Sequence, residues 1–136
     1  MQRTPLAIAA LLAAIAWPAV AEEVRVFTHY AHPVHNVPPK ATVTELDAGE
    51  RLEAELSVGL PDDAARAASL MQQRLEKGGH GLQRRLAAAY QGVADAWSMG
   101  VTKLPAVVVD RRYVIYGEPD VAAALTRIAR FRESRP

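Results

Sequence analysis

The chain of 136 residues contains no cysteine. Thiol–disulfide exchange requires one thiolate that attacks and a second sulfur that resolves the mixed disulfide. Neither group is present, so the sequence excludes thiol oxidoreductase activity. The fold must also be stabilised by its hydrophobic core alone, because no disulfide bond can form.

The chain also lacks an excess of charge of either sign. It has 16 Lys and Arg residues against 15 Asp and Glu residues, which gives a formal net charge of +1 with neutral histidine. Proteins that bind nucleic acid or anionic membranes usually carry a basic excess or a long basic block, and neither occurs here. We therefore predict no direct nucleic-acid partner.

Long apolar runs are absent except near the N-terminus. Arg3 precedes an uncharged Ala- and Leu-rich run from Leu6 to Trp17, and Ala19-Val20-Ala21 resembles an A-x-A cleavage site. This pattern predicts a secretory signal peptide over residues 1–21. Because the run is shorter than the roughly 20 residues that a membrane span needs, we predict no stable membrane insertion. We expect a cleaved periplasmic protein whose residues 22–136 form one domain.

Hydrophobic periodicity predicts an α/β domain. Val24–Thr28 and Ala41–Leu46 alternate as strands, and the loop His29–Lys40 between them holds three histidines and three prolines. Asp47 followed by Glu50 resembles a capping box that opens a short helix. Later helices are predicted by apolar faces that we expect to be buried. Those faces consist of Ala64, Ala67, Ala68, Met71 and Leu75 after Pro61, of Leu82, Leu86, Ala89, Val93 and Trp97 after the glycine-rich break at 78–81, and of Val121, Leu125 and Ile128 after Pro119.

The most specific segment runs from Gly100 to Gly117. Ala106–Val109 is a continuous run of strand formers, Asp110–Arg112 is a short polar turn, and Tyr113–Tyr116 is a second strand. Pro105 stands at the start of the first strand, where a missing N–H is tolerated. The sequence therefore predicts a β-hairpin that opens with proline.

This hairpin, with a helix before it and another after it, resembles the C-terminal half of the thioredoxin fold. The resemblance implies a mixed sheet of about four strands with flanking helices, and a cis bond between Leu104 and Pro105 that faces the functional site. In the glutaredoxin-like branch, Cys-Pro-x-Cys follows the first strand after three residues. Here His32-Pro33-Val34-His35 occupies that place. Both cysteine positions are therefore histidine, and the first helix is expected to be short or missing.

Three histidines form an H-x-x-H-x-x-H series at His29, His32 and His35. Neutral imidazole is the commonest transition-metal ligand, so a weak Zn or Cu site stays open as an alternative to three exposed loop histidines. No serine lies in the G-x-S-x-G turn of serine hydrolases. We predict that the protein is not an enzyme and has no resident cofactor.

The chain from Val24 to Ile128 resembles a family of exported, cysteine-less thioredoxin-like proteins that are encoded in integrating conjugative elements. The segments that carry this resemblance are Val26-Phe27-Thr28, His32-Pro33-Val34, Thr44–Asp47, Leu82–Leu86, Ala89–Gly92 and Trp97–Tyr116. The resemblance implies a periplasmic accessory protein of the type IV secretion system that transfers DNA in conjugation.

Two functional hypotheses follow from the sequence. In the first, a redox-inactive groove binds another component of the secretion system. The residues expected to bind that component are His32, Pro33, His35, Leu104, Pro105 and Tyr113. In the second, the protein binds metal in the periplasm through His29, His32 and His35.

Overall fold

The structure is a computed structural model that describes residues 21–136. The predicted signal peptide, apart from Ala21, lies outside the described residues. Within the described part of the chain, no helix is both long enough and apolar enough to cross a membrane.

Four strands and three helices make up the described residues. In chain order they are β1 (Val24–Thr28), β2 (Ala41–Glu45), α1 (Ala48–Ser57), α2 (Ala64–Ser98), β3 (Ala106–Val109), β4 (Tyr113–Tyr116) and α3 (Val121–Glu133). The strands form one sheet in the order β2-β1-β3-β4. β1 is parallel to β2 and antiparallel to β3, and β3 is antiparallel to β4. The chain is thus a mixed α/β domain with a four-stranded mixed sheet, which confirms the coarse fold class.

The sheet is covered on both faces, because successive side chains of a strand point to opposite sides. On one side, Val26 lies in a buried cluster with Val107 of β3 and Ile128 of α3. On the other side, Phe27 lies in a second cluster with Ala96 of α2. The two central strands are therefore apolar along nearly their whole length.

α2 consists of two helical segments that meet at Gly79. This residue has φ 57° and ψ −151°, a conformation that glycine adopts without steric cost. The predicted glycine-rich break is therefore confirmed. The buried residues of α2 are Leu82, Ala89, Gly92 and Ala96, all of them after the break. The prediction that the apolar face of the first segment is buried is wrong.

Trp97 is also placed differently from the prediction, since its side chain is 83% exposed. The face of α2 that meets the sheet is made of small residues instead. A Cβ atom at Gly92 would lie 2.5 Å from Cγ2 of Thr44, so glycine is needed there for the helix to approach β2. Because this small-residue face turns inward, Trp97 and Tyr90 point away from the core.

Three helix starts differ in detail from the sequence expectation. Asp47 precedes α1, but its side chain makes no capping bond; Oδ1 instead accepts a hydrogen bond from the Tyr30 N–H at 3.0 Å. α2 does not begin at Pro61, because Asp63 caps it. α3 does not begin at Pro119, because Asp120 caps it and accepts from the Ala123 N–H at 3.0 Å.

Candidate functional site

The candidate site is a cavity of about 410 Å³ between the loop that follows β1 and the residues that open β3. We call it the Pro105 cavity. It is lined by Ala31, His32, Pro33, Leu104, Pro105, Gly117 and Pro119. Residues about 70 positions apart in the chain thus meet at one place, as the sequence analysis expected for His32-Pro33 and Leu104-Pro105.

The loop side of the cavity is anchored to the end of β1. The buried Thr28 hydroxyl donates to the His32 carbonyl at 2.6 Å, and the His32 N–H donates to the His29 carbonyl at 3.0 Å. These bonds fold the backbone of residues 29–32 into a turn. His32 and Pro33 are both exposed at its surface.

Asp47 supports the same loop from the start of α1. Burial of its carboxyl raises the pKa, but hydrogen bonds from backbone N–H groups, including that of Tyr30, and the nearby Arg51 outweigh this and lower the pKa below its ordinary value of 3.8. The Arg51 guanidinium also lies 4.6 Å from the centre of the Tyr30 ring. The loop is therefore attached to α1 as well as to β1.

The far end of the loop is attached to the start of α3. The His35 N–H donates to the Pro119 carbonyl at 2.9 Å, and the His35 carbonyl accepts from the Val121 N–H at 3.0 Å. The Asn36 side-chain amide donates to Asp120 Oδ2 at 2.9 Å. His35 thus positions the loop through its backbone, whereas its side chain does not line the cavity.

Asp120 connects this loop to α3 electrostatically. The backbone N–H of Ala123, followed by the Asn36 side chain, holds the pKa of Asp120 below its ordinary value of 3.8. The charged carboxylate therefore caps the helix and receives the loop at the same time. A negative charge at a helix N-terminus is also stabilised by the helix dipole.

The opposite side of the cavity is formed where β3 begins. The pairing of β1 with β3 ends at Phe27 and Ala106, so Leu104 and Pro105 lie beyond it. The peptide bond between them is cis. The Gly117 N–H donates to the Pro105 carbonyl at 2.9 Å, which closes this end of the hairpin.

The histidine series is not gathered into one site. Nδ1 of His29 lies 3.9 Å from Asp47 Oδ1, whereas Nε2 of His35 lies 3.8 Å from Asp120 Oδ2. Across residues 21–136, no group of three or more His, Cys, Asp or Glu side chains is arranged to hold a metal ion. The predicted ligand set of His29, His32 and His35 is therefore not assembled in the structure.

Two predicted binding residues do not line the cavity, namely His35, which meets the start of α3, and Tyr113, which lies farther away. Tyr113 pairs with Val109 at the turn end of the hairpin, whereas Pro105 is at the open end. The sequence reasoning grouped the two because both belong to the hairpin, but four residues of strand separate its ends. Tyr113 lines a different groove together with Phe131.

The sequence analysis missed the part that the start of α3 plays in the site. Pro119 lines the cavity, and Asp120 holds the loop. The available signal was Asp120 directly before the apolar periodicity of α3, since aspartate in that position is a favoured helix cap. That signal predicts where the helix begins, but it does not predict the contact with Asn36.

Comparison with known proteins identifies the family but no characterised relative. Residues 21–134 match the family model DUF1525, which is described as a protein of unknown function. No curated protein and no solved structure matches the chain. Because the match covers most of the sequence, the chain belongs to the DUF1525 family.

Proposed function

We propose that this DUF1525 protein is an exported, non-catalytic accessory of a conjugative type IV secretion system, and that it binds another component of that system in the Pro105 cavity. One observation carries the binding part of the proposal. His32-Pro33 and Leu104-Pro105 line one cavity in a chain that has no cysteine. In a thioredoxin-like protein this place would hold the reactive sulfurs; our proposal is that here it serves as a binding surface without thiol chemistry.

We propose a thioredoxin-like fold for this domain. The strand order β2-β1-β3-β4, with β1 and β2 as its parallel pair, supports that proposal, as do the hairpin and the helix that follows it. The helix that a thioredoxin fold has between β1 and β2, which the sequence analysis expected to be short or missing, is absent from the described residues, and the loop of residues 29–40 takes its place. Val34 and Val37 of this loop pack against the same buried cluster as α3, so the loop covers part of the sheet that such a helix would cover.

The lining of the cavity favours binding over catalysis. Among its residues, only His32 is ionisable, and no side chain near it offers a nucleophile paired with a base. Leu104 lies beyond the ladder of β1 and β3, so its backbone is placed to meet an extended peptide by β-augmentation. We therefore expect the purified protein to reduce insulin no faster than the uncatalysed background.

The assignment to conjugation rests on the sequence resemblance alone. The segments Val26-Phe27-Thr28 and Trp97–Tyr116 carry that resemblance, and the apolar N-terminus supports export. The proposal therefore has two separable parts, which are a binding cavity and a process in which that cavity is used.

A substitution that fills the cavity tests the first part. Ala31 is exposed and lines the cavity, so Ala31→Trp should block it without disturbing the core. Ala87→Trp is the matched control, because Ala87 is exposed on α2 and does not line the cavity. The measurements are conjugative transfer and site-specific photocrosslinking in the periplasm of donor cells, with crosslinked proteins identified by mass spectrometry.

We expect Ala31→Trp to lower both transfer and crosslinking by about tenfold or more, equivalent to about 1.4 kcal/mol of binding free energy, and Ala87→Trp to leave both unchanged. Equal effects of the two variants would contradict the cavity. A specific crosslink to a protein outside the secretion system would support the cavity as a binding site but contradict the assignment to conjugative transfer.

A further inference from the structure

β4 is an outer strand whose far edge is not paired with any strand among the described residues. The Gly117 N–H bonds to the Pro105 carbonyl, and Ile115 stands opposite Val107 in the same register. In an antiparallel ladder, hydrogen-bonded pairs alternate with pairs whose backbone groups point away. The N–H and C=O of Val114 therefore face the open edge.

A groove of about 440 Å³ runs beside this edge, between β4 and α3. We call it the β4–α3 groove. Its apolar part is formed by Tyr113, Ile115, Ile128 and Phe131. Tyr113 and Phe131 meet edge to face, with ring centres 6.2 Å apart. Phe131 is 51% exposed and Val114 is 41% exposed, so apolar surface is open to a partner here.

Arginines surround this apolar surface. Arg112 and Arg127 line the groove itself. The Arg132 guanidinium lies 5.4 Å from the centre of the Tyr113 ring, and that of Arg135 lies 5.2 Å from the centre of the Phe131 ring.

The arginines of the groove differ in whether a carboxylate already neutralises them. Arg132 is paired with Glu22 at 3.0 Å and with Asp110 at 3.8 Å. Within residues 21–136, neither Arg112 nor Arg127 forms a salt bridge with a carboxylate. The groove thus combines an open strand edge, an apolar floor and two arginines, Arg112 and Arg127, that have no carboxylate partner among residues 21–136.

We infer that the β4–α3 groove binds an extended acidic segment of a partner protein, which adds as a strand to the free edge of β4. Backbone pairing at Val114 supplies the alignment, alternate apolar side chains of the segment pack on Tyr113 and Ile115, and carboxylates meet Arg112 and Arg127. Arg–carboxylate pairs give bidentate, oriented contacts. This surface is separate from the Pro105 cavity, so the inference stands independently of the proposed function.

A protein segment explains the groove better than the other polyanions do. Nucleic acid and anionic lipid would satisfy the arginines, but neither offers the regular N–H and C=O groups that complement an open strand edge. The experiment therefore includes a single-stranded oligonucleotide and vesicles of anionic phospholipid, and tight binding of either one in preference to peptide would overturn the inference.

The probe is a fluorescent peptide of alternating Glu and Val residues, measured by fluorescence anisotropy with residues 22–136. A peptide of alternating Lys and Val is the charge-reversed control. We expect the acidic peptide to bind and the basic one to bind at least about tenfold more weakly, because two exposed charge pairs become repulsive. Equal binding of the two peptides would overturn the inference.

Two variants and one direct observation locate the site. Arg127→Glu should weaken acidic-peptide binding about tenfold, whereas Arg84→Glu, an equal charge change at an exposed position on α2, should not. Val114→Pro removes the outward N–H at an edge position where proline is tolerated, and it should abolish binding while Val114→Thr retains it.

In case Val114→Pro does not fold, amide hydrogen exchange of the unmodified protein gives the same information. Addition of the acidic peptide should slow the exchange of the Val114 amide. Acidic-peptide binding that leaves this amide exchange unchanged would overturn strand addition, and binding that survives Arg127→Glu would overturn the placement in this groove.

Discussion

The two ends of the β3–β4 hairpin are separated by four residues of strand, yet they present different surfaces. At the open end, the Pro105 cavity is bordered on one side by a loop from the other half of the chain and is mostly apolar. At the turn end, the β4–α3 groove is open along a strand edge and carries arginines. One hairpin therefore borders two different surfaces, and we propose that the first selects its partner by shape and the second by charge.

The two surfaces also differ in what holds them together. One side of the Pro105 cavity depends on the loop that follows β1, which the Thr28 hydroxyl attaches to β1 by donating to the His32 carbonyl. Asp120 attaches the same loop to the start of α3 by accepting a hydrogen bond from the Asn36 side-chain amide. The β4–α3 groove is made by elements adjacent in sequence, since α3 follows β4 directly. A change in the long-range contacts should therefore affect the first surface far more than the second.

The largest effect is expected from a change to the core beneath the hairpin. Ile128 is 3% exposed, packs in the cluster that contains Val107 and Val109, and also borders the β4–α3 groove. Ile128→Ala should lower the free energy of unfolding by about 2–5 kcal/mol, and Ile128→Val by about 0.5–1.5 kcal/mol. Urea unfolding measures both, and an alanine variant no less stable than the valine variant would contradict the core assignment.

The next largest effect is expected when the ionic strength is raised, because binding at the two surfaces should depend on salt to different degrees. Raising the ionic strength from about 0.1 M to about 1 M shortens the Debye length to about 3 Å, so acidic-peptide binding at the β4–α3 groove should weaken by about tenfold. Crosslinking at the Pro105 cavity should change little over the same range, because its lining is mostly apolar. The test is to measure acidic-peptide binding and crosslinking over the same range of ionic strength. An equal salt dependence of the two would contradict the distinction between selection by shape and selection by charge.

A change at Asp120 should weaken the Pro105 cavity without affecting the β4–α3 groove. Its pKa is lowered in the folded state by the Ala123 N–H and the Asn36 side chain, so the charged form stabilises the fold at neutral pH. That contribution is lost as the pH falls below about 4 and through the folded pKa. Asp120→Asn should therefore be less stable than wild type at neutral pH, and the gap in Tm should narrow as the solution is acidified.

The same variant should weaken crosslinking at the Pro105 cavity and leave acidic-peptide binding unchanged. Asp62→Asn is a matched control, because Asp62 is exposed before α2 and lines neither the Pro105 cavity nor the β4–α3 groove. A Tm gap between wild type and Asp120→Asn that stays constant with pH would contradict the role assigned to the carboxylate.

Locally encoded parts of the fold were predictable from sequence. β1 was predicted with the bounds that the structure has, and the hairpin was predicted because strand formers, a polar turn and Pro105 all indicate the same conformation. The meeting of His32-Pro33 with Leu104-Pro105 was predicted only through the resemblance to the thioredoxin fold. No local property of either segment indicates that contact.

The features that sequence reasoning missed depend on which of several possible partners a side chain or a helix face meets in the folded chain. Asp47 matches a capping box, but in the folded chain its carboxylate accepts from Tyr30, 17 positions earlier. The helical periodicity that includes Trp97 is real, but a narrow face that contains Gly92 approaches β2 more closely than a face with tryptophan would allow. A pattern in one element does not show which of two faces the neighbouring element accepts.

Trp97 supplies the smallest expected effect and the strictest check on the comparison of the two ends. Its side chain is 83% exposed, so Trp97→Ala removes little buried surface and should change the free energy of unfolding by no more than about 0.5 kcal/mol. Both binding activities should be retained, because Trp97 lines neither the Pro105 cavity nor the β4–α3 groove. Exposed tryptophans are nevertheless frequent hot spots of protein interfaces. Loss of crosslinking in a normally stable Trp97→Ala protein would therefore show that partner binding uses α2, and that neither end of the hairpin is the principal interface.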